Sequence, residues 1–380
     1  MSTRFDVIVL GLGGMGSAAL AHLALRGKRV LGLERFSPAH SLGSSHGQSR
    51  VIRQAYFEDP AYVPLLLRAY ELWFDLERRT GKQLYLRTGG LMAGHPGSQV
   101  VEGSARSARE HGLRHEWLSA SEIRSRFPAL RPKEEEVGLF EYEAGVLFPE
   151  EAIRAHLQVA VHHGAEARFG TQVLAWEPLP GGGVQVSTGA GTLQGERLIL
   201  TAGAWLGQLA PGLGPRLSIE RNVQHWFEAP ASLAHLQPDR CPVWILQRRD
   251  TPLFYGFPNL EGQGVKVALH HSGHYTTTAD ALDRTVTTQE AGAMRELLAD
   301  WIPDAAGEVR SSAVCMYTNT PDEHFVIGPH PSHSDILLAG GFSGHGYKFC
   351  SVVGEVLADL ATQGATPHPI QLFDPRRFRP

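Results

Sequence analysis

The chain has 380 residues and a formal net charge of -4 at pH 7, a length that suits two packed domains able to bury a large cofactor. The slightly acidic balance leaves no basic surface to attract nucleic acid, so none is expected as a partner. Cys241, Cys315 and Cys350 are too few and too scattered for a disulfide framework or a zinc knuckle, which suits a reducing, cytoplasmic setting.

In chain order, FDVIVL at 5–10 is a β-branched apolar run of the kind that a strand buried on both faces needs. It leads into Gly11-Leu12-Gly13-Gly14-Met15-Gly16, then a helical stretch closed by Gly27, then a second strand, RVLGLE, ending on Glu34 beside Arg35. Gly11 allows the tight turn, Gly13 lets the backbone approach a pyrophosphate, and Gly16 lets the helix lie close on the strand, with its N-terminal amides aimed at the phosphates. Glu34 then reaches a ribose hydroxyl; a carboxylate there argues against a 2'-phosphate, hence against NADP, but the motif does not separate FAD from NAD. The uncharged run at 7–21 that holds this motif is a poor membrane span, because each glycine costs roughly 1 kcal/mol inside a helix. No membrane partner is expected.

Residues 60–80 carry Leu66, Ala69, Tyr70, Trp73 and Leu76 at helical spacing with charges opposite, the pattern of an amphipathic core helix. Ser119 and Glu122 stand in a capping-box relation that opens a short helix. Strands are expected in TQVLAWEP, which contains Val173, in GVQVSTGAG and in GERLILTAGAW, with PGGG at 180–183 as a hairpin turn. The last of these ends in Ala202-Gly203-Ala204 before Trp205, and small-residue turns at strand ends are where ligands lie in α/β sheets. From 215 to 318 the pattern changes to strands rich in Trp, His and Arg with one helix at 287–301, which predicts a mixed or antiparallel sheet. DILLAGG then reads as a buried strand, Phe342 to Gly346 as a glycine-rich turn and YKFCSVVGEVLADLAT as a helix. The fold class is α/β, α+β overall: a Rossmann-type dinucleotide-binding domain from 1–86, 145–214 and 320–380, with an inserted mixed-sheet substrate domain from 87–144 and 215–319.

Two motifs compete with this reading. Gly43-Ser44-Ser45-His46-Gly47 matches a nucleophile elbow, but SPAH before it is not the apolar strand that a hydrolase needs. His270, His271 and His274 do not share one strand face and have no nearby carboxylate, so no metal is expected. Lys348 falls in the first turn of the helix expected near Gly346, where a cation opposes the helix dipole, and a lysine kept there points to an anionic partner. The same N-terminus favours the negative charge of a reduced flavin over a nicotinamide. Cys315 follows Ala313 and Val314 as if ending a buried strand, a lone thiol at a pocket edge.

The stretches GLGGMGSAA, GSSHGQSRVIR, YVPLLLRAYELW, LTAGAW, YGFP, CMYTNTPDEHFVIG and GGFSGHGYKF together resemble the monomeric sarcosine oxidase and N-methyltryptophan oxidase family of amine-oxidising flavoproteins, over nearly the whole chain. The resemblance implies one FAD per chain, joined covalently as an 8α-S-cysteinyl link through Cys315, with Arg50 and His46 as the cations that favour the thiolate. It implies cofactor contacts from Gly11, Gly13, Gly14, Met15, Gly16, Glu34, Arg35, Ser44, His46, Ser49, Arg50, Val173, Ala202, Gly203, Trp205, Met316, Phe342, Gly344, Gly346 and Lys348. Arg53 and Lys348, with Gly344, match the substrate-carboxylate contacts; Lys266 matches the lysine that serves the reaction with oxygen; Tyr255, His270 and Tyr317 match the substrate side, and Arg50 the flavin edge. The implied activity is oxidation of a secondary amine such as sarcosine, with O2 as the second substrate, in a monomer; a bulkier or cyclic amine such as N-methyltryptophan or pipecolate is the alternative. The match departs at Ser45 and Ser49, where the family often has histidine and threonine, and Cys350 is expected to pack rather than react. A nicotinamide-dependent dehydrogenase would differ by colour, since a flavoprotein is yellow.

Overall fold

Phe5–Leu10 is apolar on both faces because it lies inside a parallel set, paired with Val30–Leu33 on one side and Gly191–Leu200 on the other. The computed structural model describes residues 4–210, 217–230, 232–276 and 278–378. Outward from that centre, Val30–Leu33 takes Glu166–Arg168 in parallel, and Gly191–Leu200 takes the antiparallel hairpin of Val173–Pro178 and Val184–Thr188. The end of Gly191–Leu200 also pairs in parallel with His333–Gly340, so strands from far apart in the chain form one sheet.

Gly14–Leu25 packs against both Pro149–His162 and Cys350–Gln363. Small residues make the second contact intimate: a Cβ on Gly354 would stand 2.6 Å from that of Ala18. Val63–Thr80, opened by Pro60–Tyr62 and stopped by left-handed Gly81, lies against the same helix.

A second sheet draws its strands from 90–141 and 218–319, in the order Tyr275–Thr276, Ser218–Phe227, Val265–Leu269, Phe254–Phe257, Val243–Gln247, Gly90–Gly94, Val137–Glu141, His115–Ser119. It is antiparallel except where Gly90–Gly94 meets Val243–Gln247, as the alternating pattern predicts. Thr288–Trp301 covers it through Met294, Leu298 and Trp301, and both this helix and Ala120–Arg126 open with capping boxes, Thr287 with Glu290 and Ser119 with Glu122. A small third sheet of Arg50–Ile52, Gly145–Leu147 and Tyr85–Arg87 brings Arg50 to Cys315 of the second sheet.

Two local expectations are corrected. Cys315 does not end a strand: it sits inside Val309–Asn319, opposite Asn222, because Ser218–Phe227 keeps pairing with the polar residues that follow it. The helix expected from Gly346 starts only at Cys350, after a single 3-10 turn at Tyr347–Phe349, so Lys348 stands ahead of the α-helix rather than in its first turn. Among the described residues no helix is long and apolar enough to cross a membrane.

The contact between Gly354 and Ala18 gives a stability test. Gly354→Val should cost about 1–3 kcal/mol through overpacking, read as a lower urea midpoint with unchanged slope.

Candidate active site

One long cavity begins at the glycine turn and runs to Tyr255, His270, Tyr317 and Lys348. At its first end Gly11 has φ +89°, and a Cβ there would stand 2.6 Å from the Thr201 carbonyl oxygen. A Cβ on Gly16 would stand 1.8 Å from the Gly11 carbonyl oxygen, so Gly16 serves the helix-to-strand contact behind the cavity wall. Beside Gly13 the nearest atom to such a Cβ is Ser45 Oγ at 3.8 Å, which leaves this backbone open to the cavity. The first-turn amides of Gly14–Leu25 lie here, a ready anion site. Glu34 accepts the amides of Leu12 at 2.8 Å and Phe36 at 3.0 Å and still has lone pairs for a hydroxyl. Val173, Ala202, Gly203 and Trp205 line the same end, where Asp280 accepts from both Arg35 and Trp205.

In the same cavity, Cys315 Sγ lies 3.7 Å from Arg50 Nη2 and 3.7 Å from the Ser44 carbonyl oxygen, and Met316 and Phe342 also line it. Gly344 has φ +77°, and a Cβ on it would run into the Tyr317 ring at 2.3 Å. His46 is not the second cation expected at the thiol. Burial, with Arg50 and Lys266 nearby, brings its pKa down to about 3, so it is neutral and Arg50 is the cation in contact with the sulfur. His46, Ser49 and Lys266 stand behind the cavity wall. Lys266 Nζ donates to the carbonyls of Gly47 at 2.6 Å and Ser49 at 2.9 Å, and to Ser49 Oγ at 3.1 Å. Burial first, then Arg50, holds its pKa well below the usual lysine range. Cys350 is buried with its sulfur against Gly14, where an added Cβ would stand 2.5 Å away, and burial pushes its thiol pKa up.

The other end is cationic. Arg53 is buried and donates to both oxygens of Glu58, at 2.7 and 2.6 Å, and to the Ala55 carbonyl. Lys348 Nζ donates to the His345 carbonyl at 2.7 Å, which offsets the unfavourable placement read from the sequence. Burial, then the Arg53 guanidinium, brings Lys348 down to about 7 in spite of Glu58. Burial opposes the charge on Glu58, but Arg53, His345 and Lys348 together bring its carboxyl down to about 2. His270 is lowered by burial to about 3, and burial raises the phenols of Tyr255 and Tyr317, whose hydroxyls stand 3.3 Å apart. This wall is therefore neutral and able to hydrogen-bond. No group of metal-ligating side chains occurs among the described residues.

Glu58 and Gln224 line the cavity without having been singled out from the sequence. Glu58 carries a usable signal, an acid in the apolar run Tyr56-Phe57 five places after Arg53; Gln224 carries none. Arg53 Nε and Gln224 Oε1 are buried without a partner. Such atoms ask for a polar group inside the cavity. With the open glycine turn, Glu34 and the cations, the residues present fit a flavin dinucleotide.

The model of the FAD dependent oxidoreductase family matches residues 6–360. The chain is 50% identical to the monomeric sarcosine oxidase of Streptomyces avermitilis, across 100% of this chain and 99% of that protein. It is 33% identical to the N-methyl-L-tryptophan oxidase of Salmonella arizonae, over 99% of each. Its fold superposes on the open form of NikD, an amino acid oxidase, with a TM-score of 0.85, 25% identity and 98% of each chain covered.

The value near 7 at Lys348 makes anion binding depend on pH. A carboxylate stabilises the ammonium and raises its pKa in the complex. Affinity should therefore be flat below about pH 7 and fall by up to about tenfold per unit above it, until the raised pKa is passed. Titration of a simple carboxylate from pH 6 to 9 should show proton uptake on binding, and Lys348→Met should abolish the slope.

Proposed function

The chain belongs to the FAD-dependent oxidoreductase family, and from that premise we propose that it oxidises an N-methyl amino acid of the sarcosine type. The amine becomes an imine, water splits the imine into an aldehyde and the primary amino acid, and O2 is reduced to H2O2. One observation carries this reading: a single cavity joins a glycine-cradled dinucleotide end to a buried end with two cations, Arg53 and Lys348. FAD, when bound, accepts the two electrons of the C–N oxidation and hands them to O2.

The chain's own residues do the rest. The first-turn amides and Glu34 hold the dinucleotide, and Cys315 is the point of covalent attachment, with the Arg50 guanidinium 3.7 Å from its sulfur. Arg53 and Lys348 clamp the substrate carboxylate, for which Arg53 exchanges part of its bidentate pairing with Glu58. The same two cations disfavour an ammonium close by, so the amine is held in the neutral form that can be oxidised. His270 is neutral and offers the amine a lone pair rather than a repelling charge, and Tyr255 and Tyr317 close that wall. Lys266, buried just behind Gly47 and Ser49 and donating to their carbonyls, is placed to supply positive charge in its ammonium form for the reduction of O2. The same reading takes the chain as a cytoplasmic monomer with one FAD, divided into an FAD-binding part (1–86, 145–214, 320–380) and a substrate part (87–144, 215–319). A peroxide-coupled assay over N-methyl and cyclic amino acids tests it: sarcosine-type substrates should give H2O2, and failure of every N-methyl amino acid would refute it.

Two further outcomes follow from the site. In acid-denatured protein the flavin should stay with the chain and add one FAD to its intact mass, whereas Cys315→Ser should fold and hold FAD only non-covalently. Lys266→Met should be reduced by substrate under anaerobic conditions at a rate within about tenfold of the parent, yet its reduced form should react with O2 more than about tenfold more slowly. Stopped-flow absorbance reads both half-reactions.

A further inference from the structure

A second cavity, of about 270 Å³, includes Lys266 in its lining but none of Tyr255, His270 and Tyr317. Its mouth is formed by the exposed residues Gln48, Gln83 and Glu261, and its depth by buried Trp226, Pro258 and Lys266. Lys266 belongs to this cavity and not to the long one, whereas Gln224 lines the long one. The partition between them is thin. A Cβ on Gly47 would stand 2.1 Å from Gln224 Oε1 and 3.4 Å from Lys266 Nζ, so the two side chains meet across one glycine. Gln224 Oε1 is buried and makes no hydrogen bond that would pin its carboxamide in place.

We propose that this cavity is the access route for O2 and the exit for H2O2, separate from the path of the amine, with Gln224 as the movable partition at its inner end. The inference rests on the oxidase reading and on the role given there to Lys266. The chemistry of the lining suits the traffic. O2 is small and uncharged and partitions onto apolar walls such as Trp226, Pro258 and Leu260. A zwitterionic amino acid would be left there without the paired cations that hold its carboxylate in the long cavity, and it would face Glu151 and Glu261. O2 leaves as H2O2 after taking up two electrons and two protons, again uncharged and small enough for the same path. A separate route also lets O2 react while imine or amino acid still fills the amine end.

Filling the route while leaving Lys266 and the long cavity intact tests the proposal. Gln83→Trp and Gln263→Phe place bulk in the second cavity at side chains that make no hydrogen bond in this structure. Each flavin-loaded variant is reduced anaerobically with sarcosine and then mixed with O2, with Lys266→Met run in parallel. The expected result is a second-order reoxidation rate at least about fivefold lower in one or both filled variants, with reduction within about twofold of the parent. Reoxidation of the parent should also persist when a saturating carboxylate inhibitor occupies the amine end. Unchanged reoxidation in both filled variants, equal slowing of both half-reactions, or a block of reoxidation by the inhibitor would each overturn the route. If Lys266→Met is slow with O2 and the filled variants are not, the route alone fails; if Lys266→Met reoxidises normally, the reading beneath it fails as well.

Discussion

Buried positive charge without enough negative charge to match it is the constraint on which the site depends. Arg50, Arg53, Lys266 and Lys348 converge on the two cavities, and Glu58 is the carboxylate that pairs directly with one of them. Such charges are costly in a protein interior unless they are paired or hydrogen-bonded. Each is partly satisfied by carbonyl oxygens: Ser44 and Ser49 for Arg50, Ala55 for Arg53, Gly47 and Ser49 for Lys266, His345 for Lys348. The turns at 43–49 and 342–346, which present all of those carbonyls except Ala55's, are therefore as much part of the chemistry as the cations they hold. An anion bound between Arg53 and Lys348 would relieve the remaining imbalance at that end of the long cavity.

Burial first, and the neighbouring positive charge after it, keeps neutral groups neutral. His46 and His270 are both buried, and a proton on either would join a crowd of cations. Glu58 does the reverse and remains ionised well into acid. Among these groups Lys348, brought down to about 7, is the one whose charge changes near neutral pH.

How much of this was legible in the sequence divides along physical lines. The glycine turn, Glu34 and the flanking strands could be read because their geometry is local: a few consecutive residues fix it, and the structure keeps Gly11 left-handed and Gly16 against the strand. Both capping boxes and the amphipathic helix are local in the same sense. Lys348 was visible as a misfit, although the helix starts later than expected and a carbonyl eases its position. The polar residues after Cys315 read as a stop signal in the sequence, whereas the partner strand decides where pairing ends. The charge of His46, the pairing of Glu58 with Arg53 and the position of Gln224 could not be read at all. They depend on burial and on residues brought together from distant segments, and no spacing in the chain records that.

The parallel pairing of His333–Gly340 with Gly191–Leu200, which itself borders Phe5–Leu10, has a temporal meaning. The crevice beside the first strand stays incomplete until the chain around residue 338 has left the ribosome, some 300 residues after that strand. At about 5–20 residues per second this is a delay on the order of tens of seconds. Contacts of such long range also make the final closure slow. During that interval the glycine turn exists but its opposite wall, with Gly344, Gly346 and Lys348, does not. A complete cavity for the cofactor therefore exists only after the residues around 338–348 have been made and have joined the sheet.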